Sequence, residues 1–163
     1  MNTFKQQFDK LTEAYIKGEV EPYDSCGCFV GNLLNKTNDW IGCLAGERGL
    51  GKGEIIMQNH WMFNREEFDL ALEVIKINGY TPRQISMLEN CFMHNITKHI
   101  NTQSAFRFNT SYVDMLDAHP DKEDIIFNAF SKTLDLLKEI HESKGEVVDK
   151  IEFKKRELVF SEN

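Results

Sequence analysis

A chain of 163 residues is about one domain's length, and 41% hydrophobic beside 28% charged residues is the balance of a chain that buries a core. Its net charge of −7 argues against non-specific attraction to nucleic-acid phosphate. No apolar run nears the roughly 18 residues of a membrane span, and four cysteines without a hydrophobic signal core in MNTFKQQFDK point to reduced thiols in a cytoplasm.

Thr3 with Gln6 reads as a capping box. Phe4, Phe8, Leu11 and Tyr15 then form one apolar stripe, and Gly18 closes it, so the pattern predicts a helix over 3–17. Pro22 sets an extended approach to Asp24 and Ser25, both suited to an N-cap. Phe29, Val30, Leu33 and Leu34 follow at helical spacing and predict a second helix over 25–35. Cys26 and Cys28 would fall in its first turn, where unsatisfied N–H groups and the macrodipole favour a thiolate.

Residues 42–63 form a glycine-rich insertion, read as a loop or a small β element. Gly46 to Lys52 matches the start of a phosphate-binding loop, but Gly53 stands where Ser or Thr must hold Mg²⁺, and no apolar strand precedes it. Asn64 with Glu67 is a second capping box, and Phe68, Leu72 and Ile75 predict a helix over 65–78 that Gly79 ends. Thr81, Pro82 and Gln84 open another over 82–99, with Ile85, Leu88, Phe92, Ile96 and His99 on or near one face. Residues 101–118 show no period and read as a long connection. Asp121 and Glu123 open the longest helix, over 121–144, carrying Ile126, Phe130, Leu134, Leu137 and His141 at core spacing. Residues 146–163 form an ambiguous C-terminal tail. The expected fold is mainly α: one domain, 1–163, a bundle of about five helices.

The run Cys28-Phe-Val-Gly31-Asn32-Leu33 resembles a family of short bacterial and phage proteins that carry a C-A-V-G-N motif. The similarity continues through Gly79-Tyr80-Thr81-Pro82, Ile85, Leu88-Glu89 and Phe92, and more weakly through Ile126 to Ile140. Members are often labelled as a component of a Na⁺-translocating NADH-quinone reductase. This sequence has Phe29 for the small residue and places its second cysteine, Cys26, closer than that pattern does. A flavin and iron–sulfur component of such a reductase needs four clustered cysteine ligands and a nucleotide fold, and neither is legible in the sequence.

Three functional readings follow. Cys28 with His60 as base would make a cysteine-dependent hydrolase. Cys26, Cys28, Cys91 and His94 would make a zinc site, Cys91 and His94 sharing one helix face. Against both, free cysteine packs as a small apolar residue, and Cys28 sits beside Phe29 and Val30. The preferred reading is a non-enzymatic cytoplasmic protein-binding or regulatory module without a cofactor, in a bacterial or phage setting, an inhibitor of a host protein being one form. Trp40, Arg48, Lys52 and Trp61 are its candidate partner-binding residues, with both tryptophans alternatively in the core.

Overall fold

The computed structural model describes residues 2–24, 26–37, 39–40, 65–100 and 112–144, with backbone alone at 65–68. These residues form helices α1 (Phe4–Ile16), α2 (Phe29–Leu33), α3 (Arg65–Ile77), α4 (Pro82–Thr97), α5 (Tyr112–Asp117) and α6 (Lys122–Ser143), with no strand among them. The mainly α bundle expected from capping and periodicity is the fold. The glycine-rich insertion, the C-terminal tail and the cap at Asn64 lie outside the described residues.

Capping chemistry sets several of the boundaries. Thr3 and Gln6 satisfy each other's backbone N–H groups at the start of α1, and Thr81 and Gln84 do the same at α4. Helices α1 and α3 end in Schellman turns, in which the N–H groups of Glu19 and Tyr80 reach back to the carbonyls of Ala14 and Ile75. Gly18 and Gly79 supply the positive φ, +72° and +82°, that those turns require.

Two boundaries differ from expectation. The second helix starts at Phe29, because Asp24 caps a preceding turn instead of the helix. Its Oδ1 accepts from the N–H of Cys26 at 3.0 Å, and its carbonyl accepts from Gly27 and Cys28. The connection over 101–118 contains α5, a six-residue helix too short to show a period across a reading window.

The core forms where α2 meets α1, α4 and α6. The Phe29 ring lies 6.0 Å from that of Phe92 on α4 and 5.7 Å from that of Phe130 on α6. Tyr15 of α1 stacks on Phe130 at 4.7 Å. Helices α4 and α6 make the most extensive helix–helix contact, and α2 bridges α1 to α4. Every stripe residue expected on α6 is buried, His141 included.

Candidate functional site

Cys28 is the N-cap of α2. Its backbone is extended, and its Sγ accepts from the N–H of Gly31 at 3.4 Å. The thiol donates towards Glu89 Oε2 of α4 at 3.6 Å, and both side chains are fully buried. Beside them, Asn32 Nδ2 donates to the carbonyls of Gly27 at 2.8 Å, Cys28 at 3.1 Å and Glu19 at 3.1 Å. One amide thereby ties the turn before α2 to the turn after α1. The pattern in Cys28, Gly31 and Asn32 is thus a local knot, and Cys28 joins α2 to α4.

A nucleophile must meet its substrate, and Cys28 offers no surface. His60 lies outside the described residues. The four proposed zinc ligands do not converge: among the described residues no three His, Cys, Asp or Glu side chains could hold a metal ion. Cys28 faces the core, whereas Cys91 is half-buried and accepts from Asn95 Nδ2 at 3.7 Å. His94 is exposed, because it stands on the far side of α4 from Phe92 and Ile96. Cys26 is half-buried in the turn before α2, outside the helix it was expected to open.

Trp40 is fully buried, so it belongs to the core and not to a presented surface. Arg48, Lys52 and Trp61 lie outside the described residues.

Sequence reading passed over two buried polar contacts. Glu89 occupies the i+4 place of the Ile85, Leu88, Phe92 pattern, and a carboxylate on an apolar stripe was the available signal. Tyr80 Oη and His141 Nε2 are 2.8 Å apart in the core. Lys144 closes that end of the bundle, with Nζ 4.3 Å from the centre of the Tyr80 ring and donating to the Gly79 carbonyl at 2.6 Å. This group pins the α3–α4 turn to the end of α6.

The surface carries a different feature. The end of α1, the following turn, α5 and the start of α6 enclose a groove of about 520 Å³. Tyr15, Val20, Leu116 and Ile126 supply its buried apolar side chains, and exposed Ile16 and Val113 stand beside them. Tyr23 stacks on Tyr112 at 5.8 Å and holds the turn against α5. Burial, then the neighbouring Tyr112, pushes the Tyr23 hydroxyl well above the usual phenol range. Glu21, Asp117 and Glu123 gather around Lys122, whose Nζ is 2.7 Å from Asp117 Oδ1. Asp117 first, with Glu123 and Glu21 more weakly, holds that ammonium above the usual lysine value against the opposing effect of burial. A second hollow of about 330 Å³ is lined by Lys10, Lys17 and Lys36, but Lys17 pairs with Glu13 and Lys36 with Glu19 at 2.7 and 2.8 Å. Its cationic character is largely cancelled.

Comparison with protein-family models, curated proteins and solved structures gives no match. The motif resemblance through Cys28 and Asn32 therefore transfers no activity to this chain. No helix among the described residues is long and apolar enough to cross a membrane.

Proposed function

We propose that the chain is a non-enzymatic protein-binding module that works through the groove between α1, α5 and α6. The observation that carries this reading is the pairing of concavity with exposed apolar surface. Ile16 is 65% exposed and Val113 44% exposed, and both line the same hollow. Apolar side chains left at the rim of a concave site favour a partner that buries them. The polar chemistry of the Cys28–Glu89 contact is enclosed, which supports a packing role there. An inhibitor or regulator of another protein would need no cofactor, and the reading invokes none.

Site-specific photo-crosslinking tests it. A photoreactive residue at Val113 should give one defined protein adduct in cells that naturally express the chain, and the same probe at exposed Glu139 on α6 should not. Equal labelling at both positions, or none at Val113, would reject the reading. Ester or peptide hydrolysis by the purified chain that disappears in a well-folded Cys28→Ala variant would favour the hydrolase instead.

A further inference from the structure

We infer that the occupant of this groove is a basic amphipathic helix of another protein, an inference that rests on the binding-module reading. Three observations select that chemistry. The first is charge. Among the described residues, three carboxylates, Glu21, Asp117 and Glu123, stand around one ammonium, Lys122, at the groove, so the local excess is acidic. The whole chain carries −7. Nucleic-acid phosphate and anionic bilayers are repelled by such a surface, and a Lys/Arg-bearing partner is attracted and steered. A second copy of the same acidic chain is disfavoured for the same reason.

The second observation is the apolar content. The buried edges of Val20, Leu116 and Ile126, with Ile16 and Val113 beside them, offer places for two or three apolar side chains and no convergent set of buried polar groups. The third is the absence of a sheet edge. Among the described residues there is no strand, so an extended peptide would find no free backbone ladder to join at the groove. Recognition must then go through side chains. A helix presents apolar residues at i, i+3/i+4 and i+7 on one face and can flank them with Lys or Arg. The last turn of α1 and α5 form the walls against which that face would pack.

An unbiased selection tests the inference. Randomised 16-residue peptides displayed on phage are selected against the full chain, and the enriched sequences are synthesised and measured by fluorescence anisotropy. The expected pool is net positive with helical apolar spacing, and its peptides gain helical circular dichroism on binding. Val113→Asp should weaken binding by about tenfold or more, as truncation or charging of a central apolar contact does. The surface pair Glu21→Lys with Glu123→Lys should shift the selected pool towards acidic sequences, with unchanged circular dichroism as the check on folding. Raising the salt concentration should weaken the wild-type complex and spare the apolar contribution.

An enriched pool that is neutral, acidic or extended in its bound form would overturn the inference. So would a failure to enrich. If Val113 crosslinks to a partner while the selected pool is not basic, the partner class is wrong and the binding reading stands. If neither experiment detects a partner at Val113, the binding reading itself fails. Concentration-dependent self-association that Val113→Asp abolishes would assign the groove to a second copy of the chain and would also overturn the inference.

Discussion

Phe29, Phe92 and Phe130 meet at the centre of the molecule, each from a different helix. Removing one ring leaves a cavity that three elements cannot close together, so Phe92→Ala should cost about 3–5 kcal/mol and lower the thermal midpoint sharply. An unchanged midpoint would mean that the buried face of α4 has been misassigned. Cys28 is a more discriminating residue. Cys28→Ala loses a weak cap and a thiol contact and should cost only about 1–2 kcal/mol. Cys28→Asp sets a second carboxyl beside buried Glu89, and an uncompensated buried charge costs about 3–5 kcal/mol. Urea denaturation of the two variants measures the contrast. In the native protein, iodoacetamide should label half-buried Cys26 well before enclosed Cys28, as peptide mapping after brief exposure would show. Fast labelling of Cys28 would contradict the packing role.

At the scale of elements, α2 is a helix of five residues held by one side chain's reach. Asn32 supplies both surrounding turns with donors, so Asn32→Ala removes one donor from each of three carbonyls, of which Gly27 and Cys28 keep the backbone N–H groups of Glu21 and residue 32. Asn32→Asp is the worse change, because it turns an acceptor oxygen towards those carbonyls. The expected losses are about 1–3 kcal/mol for alanine and more for aspartate, read from chemical denaturation. Equal stability of the two variants would show that the amide donors contribute little. Helices with a strong stripe were legible from sequence: α1 and α4 with the help of their Thr–Gln boxes, and α6 by its run from Ile126 to His141 alone, since Asp121 makes no side-chain cap bond. The start of α2 was not. Asp24 and Ser25 both suit a cap by residue type, but Asp24 is used by the turn before the helix, where it accepts from the N–H groups of Cys26, Gly27 and Cys28. Helix α5 was illegible for a different reason: six residues give too little period to separate a helix from a polar loop.

At the scale of the whole molecule, the candidate groove was hidden because its parts are far apart in sequence. Ile16 reads as the end of an amphipathic helix, Val113 as part of a loop, and Glu123 as first-turn dipole chemistry. Only the packing of α1 and α5 against the start of α6 gathers them. The same junction sets how stability should respond to alkali. Tyr23 is desolvated there, and its phenol is held above its ordinary pKa near 10, so the native state keeps a proton that the unfolded chain releases. Its contribution is therefore fully present below pH 10 and is lost as pH rises beyond that value. Lys10 acts in the opposite sense. Burial lowers its pKa, so the unfolded chain binds the extra proton and stability rises with pH in the range just below 10.5. The Tyr23 displacement is the larger of the two, and it should govern the alkaline limb. Stability should fall above pH 10 by up to about 1.4 kcal/mol per pH unit, the limit for one proton. Tyr23→Phe should flatten that limb while keeping the ring stacked on Tyr112. Denaturation midpoints measured from pH 8 to 11.5 make the comparison. Parallel curves for wild type and Tyr23→Phe would show that the phenol titrates alike in both states, and that the turn flanking the groove is not closed against α5.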